Sequence, residues 1–456
     1  MGTLSPDSIF TPHKLIPFLD AHQAAEVVTV AFSGGVDSSV LLHALSRLRD
    51  DGRLSVALEA IHVNHGLQLE AEQWGIHCQQ FCAHLGVPLH LISVDATPQP
   101  GRSPEESARE ARYRAFRDQL MEGDQLVTAH HLDDQAETFL LQALRGAGPR
   151  GLSAMSPVMG LGQGWLLRPL LTFSRRSLLE YARVEKLEWV EDPTNRQLSA
   201  DRNYIRHQIM PALKERWPAA SSTLSRSASH CAEASSLLDG WAREQLIDIA
   251  PGEPLPLLEG EPVESSKMRV RHWLEHSGAG VPDTVHLQRI VDEMVRGRED
   301  ATPLVHWSNR DGDEVRVRRF RGSLYLEIGG DNKMDSPYSV EWDLCSPLRL
   351  PGMGMQLVAR EVAGRGINRE LVDGRTITIR SRRGGERCRL PGAKQSRTLK
   401  NLLREDSVPP WKRGMIPLIF IDDELAQVVG HFICDPFLAK DGESGWWIED
   451  IPLEEE

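Results

Sequence analysis

The sequence predicts an α/β protein whose first part is a doubly wound parallel sheet, followed by a mostly helical domain and a small α+β C-terminal domain. Over the first half of the chain, short runs rich in Val and Ile alternate with amphipathic helical patterns, which is typical of repeated βαβ units. A chain of 456 residues also exceeds the usual size of one hydrophobic core. We therefore expect three domains, with predicted bounds 1–218, 219–335 and 336–456.

The predicted elements follow this alternation in order. Strands are expected at 27–33, 55–63, 89–94 and 125–129, and helices at 37–49, 70–85, 104–121 and 132–144. Two more helices, at 174–186 and 200–215, complete the first domain. The Pro- and Gly-rich stretch 251–262 marks a loop. Helices are expected again at 266–276 and 284–296, and the alternating stretch 314–328 predicts a β-hairpin.

The amino-terminal residues and the cysteines indicate the compartment. The first 20 residues show neither a basic start with an apolar run nor a small-residue cleavage site, and no stretch reaches the length of a membrane span. We therefore expect a cytoplasmic protein with no membrane partner. The six scattered cysteines predict reduced thiols rather than disulfides. Cys78 and Cys82 are close, but a half-buried helix explains their spacing better than a metal site.

The charge is unevenly distributed. The whole chain has a formal net charge of -13, which by itself argues against a nucleic-acid partner. The window from Arg375 to Arg404, however, holds ten Lys or Arg and one acid, Glu386. A solvated charged face normally mixes both signs, so an anionic partner and a solvated face are about equally favoured by this window.

The stretch "AFSGGVDSSV", from Ala31 to Val40, has the form of a phosphate-binding turn. A buried strand precedes Ser33-Gly34-Gly35, and a helix begins near Asp37 with Ser38 and Ser39 behind it. Free amides at such a helix start face an anion. Neither the Lys of a Walker A loop nor the GxGxxG dinucleotide pattern is present. A plain glycine turn before a core helix is the simpler alternative.

A second motif, "TAHHLDDQAETFLL", spans Thr128 to Leu141 where a strand ends and a helix starts. Asp134 and Glu137 are three residues apart and share a helix face. Carboxylates beside an ATP site can hold magnesium or an ammonium group, and the carboxyl ends of parallel strands meet in one crevice. The alternatives are a solvated acidic helix start and a hydrolase metal site.

A third motif, "EESAREARYRAF", places Arg109 and Arg112 three apart on a helix. Guanidinium groups there could neutralise phosphate charge in a transition state. For Arg109, an exposed pair with Glu105 is the favoured alternative.

Together, these motifs resemble a known family. "SGGxDSS" is the pattern of the PP-loop ATP pyrophosphatases. The segments "IHVNHGLQ", "AHHLDDQAETFLLQALRGAGPRGLSAM", "LLRPLL", "EDPTN", "RNYIRHQIMPAL" and "RTLKNLLREDSVPPWKRGMIPLIF" occur in the order found in the bacterial tRNA(Ile)-lysidine synthetases. The resemblance covers nearly the whole chain. It implies ATP-dependent ligation of L-lysine to C2 of the wobble cytidine of a tRNA(Ile) with a CAU anticodon, through an adenylated cytidine, with AMP and pyrophosphate as products.

The resemblance also implies residue roles. Asp37, Arg112, Asp134 and Glu137 would be catalytic, with Mg²⁺ on Asp37 and Asp134. ATP would contact Ser33, Gly34, Gly35, Val36, Asp37, Ser38, Ser39, Val63 and His131. Lysine or tRNA would contact Asp133, Arg145, Arg202, Arg206, Arg397, Lys400 and Arg404, the last three on the acceptor stem. For Arg202 and Arg206, helix-surface ion pairs are the alternative.

Two other functions remain open from the sequence. A PP-loop tRNA thiolation enzyme uses the same adenylate but needs a reactive cysteine near the loop or a CxxC cluster, and the sequence shows neither. A nucleotide-responsive protein could grip RNA without modifying it. The sequence does not determine the oligomeric state, and a homodimer is one expectation.

Overall fold

The computed structural model describes residues 9–22, 26–64, 71–95, 97, 104–193, 197–298, 303–309, 312–329, 338–350 and 353–453. The motifs "IHVNHGLQ" and "EDPTN" lie partly outside these ranges. The chain divides into two compact units, residues 1–241 and 242–456. The three domain bounds expected from the sequence stay a prediction.

The first unit is built on a six-stranded sheet with strand order β3-β2-β1-β4-β6-β5. The first five of these strands run parallel, and only β5 is antiparallel to its neighbour. The strands are β1 Val27–Ala31, β2 Ala57–Asn64, β3 Leu89–Ser93, β4 Gln125–Val127, β5 Val158–Leu161 and β6 Gly164–Leu167. The predicted doubly wound sheet is confirmed. The β5–β6 hairpin was not predicted, because glycines interrupt its short strands.

Helices cover both faces of this sheet. They are α1 Ile16–Asp20, α2 Val36–Asp50, α3 Ala71–His84, α4 Pro104–Gln119, α5 Leu132–Leu144, α6 Pro149–Leu152, α7 Arg175–Val184, α8 Asp201–Tyr204, α9 Met210–Arg216 and α10 Ala220–Glu244. Val28 and Val30 pack with α2, α3 and α7 in the main core. On the other face, Phe116 of α4 and Leu120, just after that helix, pack with Ile61 and Leu126.

The predicted helix at 200–215 is observed as one helical run from Asp201 to Arg216 that contains a π turn. A π-helical turn, Ile205–Ile209, separates α8 from α9. Pro211 follows at once, and its ring has no N–H for a continuous α-helical ladder. Such π turns are frequent at functional sites, and this one carries Arg206.

The second unit contains helices packed on antiparallel sheets. Helices α11 Val263–His276 and α12 Thr284–Arg289, with a π turn at Ile290–Val295, share a core with a sheet of order β7-β10-β9-β8. Its strands are β7 Leu255–Pro256, β8 Leu304–Ser308, β9 Glu314–Phe320 and β10 Ser323–Ile328. The predicted hairpin at 314–328 is therefore confirmed as β9 and β10.

The last part of the second unit is rich in strands. Two sheets have orders β11-β15-β18-β19-β20 and β12-β13-β21-β14, and β16 pairs with β17. The strands are β11 Ser339–Glu341, β12 Leu348–Leu350, β13 Met355–Ala363, β14 Ile367–Asn368, β15 Ile377–Arg380, β16 Arg387–Cys388, β17 Arg397–Thr398, β18 Leu418–Ile421, β19 Glu424–Val428, β20 Phe432–Ile433 and β21 Ser444–Pro452. Helix α13, Leu399–Glu405, packs on this part.

Candidate active site

The glycine turn directly follows β1. Its first glycine, Gly34, has φ +80°, a conformation that favours glycine, and a Cβ there would lie 3.0 Å from the Cys78 sulfur. The Gly34 carbonyl accepts a hydrogen bond from the Val190 N–H at 2.9 Å. Backbone conformation and close packing therefore both require glycine at this position.

Polar groups of the turn point to an absent ligand. The Ser38 hydroxyl donates to the Gly35 carbonyl at 2.9 Å and lies 3.1 Å from the Ser33 hydroxyl. In the described part of the chain, Asp37 Oδ1 and the Ser39 hydroxyl are buried without a hydrogen-bond partner. Buried polar atoms are normally paired, so these two atoms suit a bound ion or phosphate. The Val36 side chain belongs to the core and leaves only its backbone for a ligand.

The second motif meets the turn because β4 lies beside β1. Asp37 Oδ2 is 3.7 Å from His131 Nε2, and that nitrogen is 3.3 Å from Asp134 Oδ2. His131 caps α5: its Nδ1 accepts the Asp134 N–H at 3.3 Å, while the His131 N–H donates to Asp134 Oδ2. Burial acts to lower the pKa of His131, but the Asp134 and Asp37 carboxylates raise it overall. The two motifs thus share one crevice, as the strand order requires.

Two arginines from α8 and the π turn close this crevice. Arg206 donates to Asp134 Oδ1 and to both oxygens of Glu137, all at 2.8 Å. Arg202 donates to Asp134 at 3.1 Å and to Glu137 at 3.2 Å. The side chains of Asp134 and Glu137 are only 11% and 4% exposed. Burial acts to raise the pKa of Asp134, but His131 and Arg202 hold it below its usual value. We call Asp134, Glu137, Arg202 and Arg206 the four-residue cluster.

One side chain of the second motif, His130, was not predicted as a site residue from the sequence. The His130 Nδ1 lies 2.9 Å from the Thr128 hydroxyl. Burial lowers the pKa of His130 to about 3, although Asp134 acts to raise it. His130 is therefore a neutral imidazole beside a cluster of charges. Its proximity to His131 in the sequence was the available signal, but spacing alone does not tell which histidine is neutral.

Asp133 is held in a structural network. One of its carboxylate oxygens accepts hydrogen bonds from Lys214 at 2.6 Å and Ser221 at 2.8 Å, and the other accepts the Arg175 backbone N–H at 2.9 Å. These contacts tie α5 to α7, α9 and α10. Its role in binding lysine or tRNA stays a prediction.

Three other predicted residues lie on β2, on α4 and at the end of α5. Val63 is near the carboxyl end of β2, next to β1. Arg145 is exposed just beyond the last residue of α5, about 16 Å along the helix from Asp134. Arg112 is half-buried on α4. Their roles toward ATP or RNA stay predictions.

The basic window lies within the second unit and is less positive than its sequence indicates. Five of its ten basic residues lie within 4 Å of a carboxylate: Arg375 with Asp422, Arg380 with Asp423, Arg382 with Glu386, Arg389 with Asp435 and Arg397 with Glu405. Four of these partners come from outside the window. Lys400 and Arg404 are exposed on α13.

The window also borders a cleft of about 660 Å³. Its lining holds five basic residues, Arg380, Arg383, Arg387, Arg389 and Lys394, and four acidic ones, Glu386, Asp423, Glu424 and Asp435. This basic cleft could not be identified from the sequence, since its remaining walls come from distant residues. Asp423 and Asp435 pair with Arg380 and Arg389, so the positive charge is concentrated at Arg383, Arg387 and Lys394, which suit an anionic group.

The cysteine prediction was wrong at one pair. Cys388 and Cys434 form a disulfide across 46 residues of sequence, because the chain brings the β16 and β20 regions together, which spacing could not reveal. Cys78 and Cys82 are free and buried, and burial raises the pKa of each to about 12. Cys78 does contact the loop region, but as a protonated core side chain it is a poor nucleophile.

Comparison with known proteins agrees with the fold. Family models match residues 11–213 as a PP-loop domain, 254–325 as a TilS substrate binding domain and 377–450 as a TilS substrate C-terminal domain. The chain is 42% identical over 447 residues to the tRNA(Ile)-lysidine synthase of Coxiella burnetii, covering 97% of each chain. It is 42% identical to that of Methylococcus capsulatus (88% and 90% covered) and 41% identical to that of Pseudomonas fluorescens (98% of each).

The parallel sheet and its glycine turn thus define a PP-loop ATP-binding domain. Near-complete coverage at about 40% identity, together with both TilS domains, goes further. The chain belongs to the tRNA(Ile)-lysidine synthase family.

Proposed function

We propose that this protein uses ATP to ligate L-lysine to C2 of the wobble cytidine of a tRNA(Ile) with a CAU anticodon. The observation that carries the proposal is the link Asp37–His131–Asp134, which joins a phosphate-binding turn to a buried cluster of both charges. A nucleotide site and an amino-acid site therefore adjoin. Family membership supplies the substrate class.

The reaction has two steps. First, the cytidine C2 oxygen attacks the α-phosphate, the bond from that phosphorus to the bridging oxygen breaks, and pyrophosphate leaves toward the turn at Ser33–Ser39. Second, the lysine ε-amine attacks C2 and AMP leaves. Each attack needs a nucleophile held in line with its target, which accounts for a site of many fixed polar groups.

The four-residue cluster fits an amino acid as substrate. Two carboxylates and two guanidinium groups give it both signs of charge within a small volume. A zwitterionic α-amino acid presents an ammonium for Asp134 or Glu137 and a carboxylate for Arg202 or Arg206. The attacking ε-amine must be neutral, and the adjacent His130 is a neutral imidazole that can accept a hydrogen bond.

A magnesium ion would be held chiefly by Asp37. Its Oδ1 is buried without a partner among the described residues, whereas both oxygens of Asp134 already accept hydrogen bonds. In those residues no three His, Cys, Asp or Glu side chains form a metal site by themselves. Mg²⁺ typically takes one or two carboxylates and completes its shell with phosphate oxygens and water. When bound, it would neutralise charge on the leaving pyrophosphate.

The basic cleft and the exposed Lys400 and Arg404 are proposed to hold tRNA phosphates. We further propose that the protein acts in the cytoplasm, where this tRNA is found, and a homodimer stays a prediction for light scattering to test. Among the described residues, no helix is long and apolar enough to cross a membrane.

The proposal is tested by incubating the protein with ATP and unmodified tRNA(Ile) together with lysine, cysteine or ammonia in separate reactions. Mass spectrometry of the wobble nucleoside should show a lysine adduct in the first reaction only. A sulfur-containing base, or tRNA binding without any modification, would favour one of the alternative functions.

A further inference from the structure

Arg175 is the first residue of α7, and the structure brings it to the glycine turn. Its Nε lies 3.9 Å from Asp37 Oδ2, and its side chain is 47% exposed. Its backbone N–H is fixed by the largely buried Asp133 carboxylate, which Lys214 and Ser221 hold in turn. The main chain of Arg175 is therefore anchored beside the loop while its guanidinium remains accessible to a ligand.

The loop itself lacks a cation. Residues 33–39 contribute hydroxyls, amides and the Asp37 carboxylate, but no Lys or Arg. Arg202 and Arg206 face the same crevice, but their hydrogen bonds to Asp134 and Glu137 hold their charge at the proposed lysine site rather than at the loop. Pyrophosphate leaves with more negative charge than one magnesium ion neutralises, so a loop without lysine needs a positive side chain from elsewhere in the fold.

The Arg175 guanidinium has hydrogen-bond donors available for such a ligand. Its distance to Asp37 exceeds a hydrogen bond, and within the described ranges its guanidinium donates none. Arginine can give two parallel hydrogen bonds to phosphate oxygens. The neighbouring Arg176 is 87% exposed and instead pairs with Glu180 at 3.0 Å on its own helix.

We propose that Arg175 is a catalytic residue that binds the β- and γ-phosphates of ATP and the pyrophosphate leaving group. This inference rests on the proposed function and adds to it the group that replaces the missing loop lysine. As the bond from the α-phosphorus to the bridging oxygen breaks, its electron pair stays on the pyrophosphate oxygen. The guanidinium donates hydrogen bonds to that charge and transfers no proton, since arginine stays protonated.

The test compares Arg175→Ala with Arg176→Ala, a matched control one residue away, and with Arg175→Lys. Magnesium pyrophosphate is titrated into each protein by calorimetry, and tRNA affinity is measured in parallel as a check of folding. A hydrogen bond to a charged group corresponds to roughly a tenfold to hundredfold change in affinity. We expect that loss in Arg175→Ala, partial recovery in Arg175→Lys and none in Arg176→Ala.

A second arm separates direct contact from an effect through Asp37. The titration is repeated with magnesium-free pyrophosphate in an Asp37→Asn background, so that removal of the proposed metal ligand does not itself abolish binding. A direct phosphate contact still makes Arg175→Ala bind pyrophosphate more weakly there. Equal pyrophosphate affinity in Arg175→Ala and Arg176→Ala, or a loss that vanishes in the Asp37→Asn background, overturns the proposal. Failure of the wild-type protein to attach lysine would instead contradict the proposed function, because the pyrophosphate titration requires neither lysine nor tRNA.

Discussion

Replacing Arg206 with alanine removes half of the positive charge from the four-residue cluster. Arg206 donates three hydrogen bonds of 2.8 Å to Asp134 and Glu137, and both carboxylates are nearly inaccessible to water. Removing one partner of a buried ion pair costs about 3–5 kcal/mol of folding free energy. Arg202 still contacts each carboxylate, so we expect the low end, about 3 kcal/mol, which is roughly a hundredfold in an equilibrium constant.

Hydrogen exchange measures this loss locally. Peptides that cover α5 and α8 to α9 should lose roughly a hundredfold in protection in Arg206→Ala. The exposed pair Arg176–Glu180 provides the control, and Arg176→Ala should cost less than about 1 kcal/mol. In the double variant Arg206→Ala/Glu137→Ala, one acid and one arginine remain, so the loss should be smaller than the sum of the single losses. Equal protection in Arg206→Ala and Arg176→Ala would refute a stabilising role of the cluster.

Four further outcomes are expected. Asp37→Ala should abolish pyrophosphate release while tRNA affinity is unchanged; an equal loss of tRNA binding would contradict the assigned role. The folded pKa of Asp134 lies below its ordinary value, so its stabilising contribution is complete above about pH 4 and fades as the pH falls further. Acid unfolding of wild type and Asp134→Asn should show their difference in stability shrinking below that pH. Iodoacetamide at neutral pH should spare Cys78 and Cys82, whose pKa burial raises to about 12; rapid labelling of Cys78 in the native protein would reopen the thiolation alternative. Neutralising Arg397, Lys400 and Arg404 together should reduce the salt dependence of tRNA affinity by about two phosphate contacts. The number is two rather than three because Arg397 is already paired with Glu405. An unchanged slope of affinity against salt concentration would show that these residues do not contact the tRNA.

Local sequence signals predicted the first domain well. Helix α5 was predicted with its observed bounds, 132–144, because His131 and Asp134 sit at a cap followed by apolar residues in helical spacing. Four of the five parallel strands, β1 to β4, were found because runs rich in apolar residues are distinct from the helices between them. The β5–β6 hairpin was missed, since four-residue strands separated by glycines give almost no periodic signal.

Predicting the candidate site depended more on tertiary contacts than predicting the fold did. The strand order explains why Asp37 and Asp134 approach, and that could be anticipated from parallel βαβ units. The pairing of Arg202 and Arg206 with Asp134 and Glu137 could not, because no local pattern links side chains 65 or more residues apart. The disulfide and the acidic partners of the basic window could not be predicted from the sequence for the same reason.

The central claim is that adenylation at the glycine turn and lysine transfer at the four-residue cluster are two successive steps in one crevice. The most direct test incubates the protein with unmodified tRNA(Ile) and ATP labelled at the α-phosphate, without lysine, and then removes the ATP. The account predicts label on the wobble cytidine, followed by release of labelled AMP and formation of the lysine adduct when lysine alone is added. Labelling that requires lysine from the start, or lysine transfer only when ATP is restored, would contradict it.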